Sequence, residues 1–202
     1  MEQKINYDKV LEKIINNLEY KPKLLLHSCC GPCSSYVITY LKDYFDITIL
    51  YYNPNIEPKE EYEKRKSEQI RLIKELDLNN LNFMDCDYDN ETYHDFVIGY
   101  ESDKEGGHRC HLCYELRLQK TCDLAKKYNF EYFGTTLTVS PYKNAQVLND
   151  LGEKISNLNN VKWLYSDFKK KEGYKKSIEL SKKYELYRQD YCGCLFSKDW
   201  NN

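Results

Sequence analysis

Seven of the nine cysteines fall into three short groups: Cys29, Cys30 and Cys33; Cys110 and Cys113; and Cys192 and Cys194. Thiolate sulfur is a soft ligand that selects zinc, copper(I) and iron–sulfur clusters. Cys110-x-x-Cys113 offers two such ligands at a spacing shared by zinc and iron–sulfur sites. The vicinal Cys29–Cys30 pair departs from the spacing of about two to four residues that structural zinc favours. Neighbouring side chains of an extended segment diverge, so these two sulfurs serve either two metals or two corners of one cluster. Four thiolates from Cys29, Cys30, Cys110 and Cys113 complete a [4Fe–4S] site, with structural zinc as the alternative. Cys192-Gly193-Cys194 closes only a small, strained and therefore reducible disulfide ring; alternatively, both sulfurs chelate a second metal, with Cys33 as a partner. Cys86 and Cys122 stand alone and read as core residues, Cys122 on an apolar helical stripe.

These groups need a scaffold. Leu24 to Leu26 and Ile47 to Tyr52 are short apolar runs of the kind that form buried parallel strands. Helical character from Ser34 to Leu41 makes the intervening stretch a β-α-β unit. The alternation continues with an amphipathic helix over Lys59–Leu76, a strand near Asn82–Cys86, a short helix over Thr92–Ile98, and a loop over Glu101–His108. A helix from Cys113 to Tyr128, a strand at Glu131–Gly134, a helix over Asn144–Leu158, a strand at Val161–Tyr165 and a basic helix over Tyr174–Tyr184 follow. Tyr7–Leu18 precedes the first strand as a helix. The expected fold is one α/β domain, with the first cysteine group at the carboxyl end of a strand, where open α/β sheets bind ligands. The second group is expected in the turn that enters a helix, where the dipole favours thiolate.

Around the cysteines, His27, His108 and His111 are candidate proton donors or hydrogen-bonding neighbours. Arg109 and Arg117 are suited to neutralising an anionic cluster or binding phosphate, and a helix-surface ion pair is the plainer role for Arg117. Ser140 to Asn144 forms a loop entering a helix, with Tyr142 placed to stack on a nucleobase and Lys143 to meet a phosphate backbone. A plain helix cap is the alternative there. Asn53, Pro54 and Asn55 either line the substrate cleft or end a strand. Lys169, Lys170, Lys171, Lys175, Lys176, Lys182 and Lys183 outweigh Asp167, Glu172 and Glu179 by four charges, a patch able to steer RNA or simply to be solvated.

Composition removes several classes. Nine cysteines in 202 residues fall short of the roughly 8–10% of a secreted disulfide scaffold. Glu2, Gln3 and Lys4 follow Met1 with no apolar signal-like stretch, and no apolar run approaches the roughly 18 residues of a membrane span. A cytoplasmic protein with reduced thiols and no membrane partner is expected. A formal charge of -2 excludes a large positive field as the means of holding nucleic acid.

From about Lys23 to Phe196 the chain resembles the cobalamin-independent epoxyqueuosine reductase family, QueH. The likeness rests on five ordered motifs: His27-Ser-Cys-Cys-Gly-Pro-Cys33, Tyr52-Asn-Pro-Asn-Ile56, Gly107-His-Arg-Cys-His-Leu-Cys-Tyr-Glu-Leu-Arg117, Thr135-Thr-Leu-Thr-Val-Ser-Pro-Tyr-Lys-Asn144 and Tyr191-Cys-Gly-Cys194. The resemblance implies a Rossmann-like parallel sheet of the ATP-pyrophosphatase (HUP) type over residues 1–202, with 1–22 as a helical extension. It implies reduction of epoxyqueuosine to queuosine at the tRNA wobble position, the last step of queuosine biosynthesis. It further implies a [4Fe–4S] cluster on Cys29, Cys30, Cys110 and Cys113, and Cys192 and Cys194 as a redox-active pair. A second, mononuclear iron is implied beside the cluster, with Cys33, Cys192 or Cys194 as its available ligands; position 33 is Cys here where some relatives carry Asp. Partners are a tRNA carrying epoxyqueuosine and a low-potential electron donor. Asn53, Arg117, Tyr142, Lys143 and Asn144 are the expected substrate-binding residues. Two other functions compete: an ATP-dependent tRNA-modifying enzyme, and a zinc module binding RNA or protein. The first is disfavoured because Cys29-Cys30-Gly31-Pro32-Cys33 stands where such enzymes place a Ser-Gly-Gly-x-Asp-Ser loop, and Pro32 removes a backbone donor.

Overall fold

The computed structural model describes residues 5–198; residues 1–4 and 199–202 of the expected 1–202 span lie outside the described residues. Five parallel strands form one sheet in the order β3-β2-β1-β4-β5. They are β1 (Lys23–His27), β2 (Asp46–Tyr51), β3 (Leu81–Asp85), β4 (Tyr132–Thr135) and β5 (Lys162–Trp163). The strand order reverses between β1 and β4, which opens a crevice at their carboxyl ends.

Both faces of the sheet are covered, and β1 shows why its sequence is continuously apolar. Leu24 and Leu26 point to one face, against Val37, Ile38 and Leu41 of α2 (Gly31–Leu41) and Leu11 of α1 (Tyr7–Asn16). Leu25 points to the other, against Leu118, Cys122 and Ala125 of α5 (His108–Lys127) and Leu148 and Ile155 of α6 (Ala145–Asn159). Successive strand residues alternate faces, so a two-sided sheet demands an apolar residue at every position. The remaining elements are α3 (Lys59–Leu76), α4 (Asn90–Phe96), α7 (Gly173–Lys183) and α8 (Leu195–Lys198).

Three boundaries differ from the sequence reading in ways that matter. Helix α2 starts at Gly31 and not at Ser34, because Pro32 is tolerated in the first turn and the Cys30 sulfur caps the helix by accepting from the Cys33 amide at 3.4 Å. Helix α5 starts at His108, five residues before the expected start, which places Cys110 and Cys113 inside its first two turns. Strand β5 shrinks to two residues at the sheet edge.

Gly152 of α6 lies directly on the Trp163 indole: a Cβ there would sit 2.2 Å from a ring carbon. Helix propensity alone favours alanine over glycine by about 1 kcal/mol. The packing predicts the opposite sign: Gly152→Ala loses about 1–3 kcal/mol of stability, as overpacked cores do, measurable by urea unfolding.

Candidate metal and redox site

The first cysteine group leaves β1 where the sheet still holds the backbone. The Ser28 amide donates to the Leu50 carbonyl at 3.0 Å, and Thr136 N donates to His27 O at 2.9 Å. The Ser28 hydroxyl reaches Gln69 Oε1 at 2.8 Å, and Asn53 Nδ2 donates to Ser28 O at 2.9 Å. On this support the vicinal sulfurs converge, contrary to the divergence expected of an extended segment: the strand has ended at His27, and its pleat no longer sets side-chain direction. Cys29 Sγ lies 3.7 Å from Cys30 Sγ, Cys30 Sγ lies 2.8 Å from Cys33 Sγ, and all three lie within 4.8 Å of one another. Among the described residues this is the one group of three His, Cys, Asp or Glu side chains so arranged for a metal.

The trio is electrostatically uneven. Burial opposes ionisation of Cys30, yet hydrogen bonds from Cys29, Cys33 and Gln189 bring it well below the usual thiol range. Cys29 is pushed up to about 11, first by its hydrogen bond with Cys30 and then by burial against the relief from Cys33. Hydrogen bonds to Cys29 and Cys30, together with burial, put Cys33 well above that range. Three sulfurs this close, one favoured to ionise over its two neighbours, form an arrangement that a cation would hold.

His27 is fully buried between Thr135 and Tyr52. Its Nε2 faces the Tyr52 carbonyl at 3.1 Å, which can only accept, so Nε2 carries the hydrogen and Nδ1 accepts from Thr135 Oγ1 at 3.0 Å. Burial, with Arg117 nearby, lowers its pKa to about 4. At neutral pH His27 is therefore uncharged, a buried strut between the ends of β1, β2 and β4.

In α5, Cys110 and Cys113 are both buried, and the Gly106 amide donates to Cys110 Sγ at 3.2 Å. Burial pushes up the Cys110 thiol and takes Cys113 to about 12, against the pull of Arg117. Desolvation thus outweighs the thiolate-favouring helix start expected from sequence. Arg117, one turn beyond Cys113, is 1% exposed. Its Nε donates to Cys113 O at 3.0 Å, Nη2 has no partner, and among the described residues it forms no salt bridge, so it is not the surface ion pair that its helical position suggested. Its electrostatic neighbours include Cys113, Cys192 and Cys29, one from each cysteine group. Arg109 instead binds the carbonyls of Tyr100, Glu101 and Asp103 and holds the preceding loop.

The third group completes the site from the far end of the chain. Cys29, Cys33, Cys192, Arg117 and Lys143 line one cavity of about 280 Å³, with Tyr142, 77% exposed, at its mouth. Lys143 is buried, and its Nζ lies 3.1 Å from Cys192 Sγ and 2.9 Å from Glu105 Oε1. Cys194 is buried and packs with Cys113 and Tyr93. All cysteines of the described chain are free thiols.

The expected substrate residues divide. Tyr142, Lys143 and Arg117 belong to the cavity. Asn53 is buried and braces Ser28, and Asn144 caps α6 by accepting from Gln146 N at 2.9 Å. Cys122 is fully buried, whereas Cys86 is half-buried against the same core. Sequence reasoning missed Glu105, Arg188 and Gln189, which also line the cavity. Arg188 and Gln189 lie within four residues of Cys192, a proximity that pointed to them.

The match to the family model described as Epoxyqueuosine reductase QueH spans residues 24–199. The chain belongs to the QueH family. It is 44% identical to the epoxyqueuosine reductase QueH of Staphylococcus epidermidis, over 96% of this chain and 85% of the relative. It is 41% identical to that of Streptococcus pyogenes, over 96% and 79%, and 34% identical to that of Thermotoga maritima, over 86% and 89%. As a QueH member whose sulfurs gather at one strand end, the protein purified without oxygen is expected to lose at least about tenfold in bound metal on Cys29→Ala or Cys30→Ala. Cys86→Ala leaves the content unchanged. Mass-spectrometric metal analysis checks both.

Proposed function

We propose that this chain reduces epoxyqueuosine to queuosine in tRNA, the last step of queuosine biosynthesis. The observation that carries the reading is the shared cavity: Cys29, Cys33 and Cys192 meet there beside two buried cations, in a chain whose relatives are named epoxyqueuosine reductases. Converting the epoxide to an alkene breaks two C–O bonds, consumes two electrons and two protons, and releases water. A low-potential donor must supply the electrons.

The strand order supports a sheet of the ATP-pyrophosphatase type; one unit over residues 1–202, working in the cytoplasm, belongs to the same reading. The donor set fits a soft metal group, since thiols gather within 4.8 Å while Arg117 and Lys143 stand ready to neutralise thiolate charge. Cys29, Cys30, Cys110 and Cys113 would hold a [4Fe–4S] cluster, and Cys33 with Cys192 or Cys194 a second iron. Such a group, when bound, supplies electrons singly and a Lewis acid for the epoxide oxygen. The chain's own residues do the rest. Lys143 keeps a protonated amine at Cys192, burial notwithstanding, because the thiol and Glu105 hold its proton. Tyr142 offers an exposed ring for a nucleobase, and Cys192 and Cys194, unpaired by a disulfide, are available as a redox pair.

Anaerobically purified protein is expected to be brown, to contain iron and sulfide, and to turn over epoxyqueuosine-containing tRNA. A colourless protein with stoichiometric zinc overturns the reading. The Cys192→Ser, Cys194→Ser double variant is expected to keep its colour and lose turnover; undiminished turnover removes the pair from the reaction.

A further inference from the structure

Helix α3 is densely charged, and Glu61, Arg65, Glu68 and Arg71 all reach one irregular segment, residues 184–193. Arg71 Nη2 donates to the carbonyls of Tyr184 and Glu185 at 3.0 and 3.2 Å. Glu68 accepts from the Tyr187 amide at 2.8 Å, and Glu61 accepts from the Tyr187 hydroxyl. The rung nearest the cavity is Arg65, which is 1% exposed. Its Nε pairs with Glu61 at 2.6 Å, Nη1 donates to Cys192 O at 3.0 Å, Nη2 donates to Tyr191 O at 3.3 Å, and the guanidinium lies 5.1 Å from the Tyr191 ring centre. The loop answers from its own side: Glu57 N donates to Gly193 O at 2.8 Å, and the Tyr191 hydroxyl donates to Glu57 O at 2.7 Å.

We infer that Arg65 is a positioning residue for the Cys192–Gly193–Cys194 loop, fixing the Cys192 sulfur in the cavity by holding two successive carbonyls. Three features single it out from ordinary helix–loop packing. A planar fork can satisfy two carbonyls and a carboxylate together, which a point charge cannot. A buried guanidinium aimed at backbone oxygens is costly unless every partner is kept. Gly193 has φ +127°, and a Cβ there would lie 3.1 Å from Arg65 Nη1 and 2.9 Å from Ile56 Cγ1, so residue 193 is shaped to the fork. The latch acts on the loop backbone and leaves the sulfurs free for chemistry.

The consequence for turnover rests on the function proposed above, so the test has an arm independent of activity. In the anaerobically purified holoenzyme, iodoacetamide labelling is followed by mass spectrometry at Cys192, with half-buried Cys86 as internal reference. Arg65→Lys is expected to raise Cys192 labelling at least about tenfold relative to Cys86, and to lower kcat by about 10–100-fold with KM for the tRNA within about twofold, as a misplacement of about 1 Å does. Gly193→Ala, which attacks the same contact from the loop, is expected to do likewise. Arg65→Met with Glu61→Gln removes both charges of the pair and keeps the test alive where Arg65→Lys fails to fold. Unchanged Cys192 labelling in these variants overturns the inference, and so does an equal rise at Cys86, which marks general loosening. An inactive wild-type enzyme overturns the proposed function, and the labelling arm still decides the latch.

Discussion

Two buried cations with too few carboxylates set the terms for the site. Arg117 has none within salt-bridge distance among the described residues, and Lys143 shares the one on Glu105 with a thiol. A desolvated charge is tolerated only when paired, or when it draws ionisation from its neighbours. The sulfurs are the neighbours available: Cys29, Cys113 and Cys192 around Arg117, and Cys192 against Lys143. The cavity is thus built to hold negative sulfur. In the bare chain the thiols resist this: burial raises Cys113, and the hydrogen bond with Cys30 followed by burial raises Cys29.

Much of the scaffold is legible in the sequence because burial on both faces of a parallel sheet leaves a coarse signature. Lys23-Leu-Leu-Leu-His27 and Ile47-Thr-Ile-Leu-Tyr51 have few alternatives to strands under two helical layers. The cysteine groups are legible for a different reason, since soft ligands at short spacing have few other uses. Boundaries were lost where a side chain did a backbone's work. In Cys30-Gly31-Pro32-Cys33 only Pro32 advertises a helix start, because a cysteine sulfur stands in for the usual hydroxyl or carboxylate cap.

Charge was the less readable property. Arg117 at a helical position beside polar residues looks solvated, but the neighbouring thiols take the place of water. The same holds for α3, whose run of Lys, Arg and Glu reads as a wet face. In the fold Glu61, Arg65, Glu68 and Arg71 lie against residues 184–192, joining elements more than 100 positions apart. Local periodicity carries no information about partners that distant. Conversely, part of the lysine-rich stretch is occupied: Lys169 pairs with Asp167, Lys171 with Asp8 and Glu12, and Lys175 with Glu172.

Cys29 and Cys30 are the immediate continuation of β1, the central strand, whose leucines are fully buried. Metal affinity and folding free energy are therefore thermodynamically linked through a stretch of about six residues. A cation that binds only the folded trio adds its binding free energy to the stability of the whole sheet, and a cavity under Leu24 or Leu26 is felt as weaker metal retention. Were such a cation withheld, the symptom would be loss of the polypeptide itself, indistinguishable from that of a core mutation.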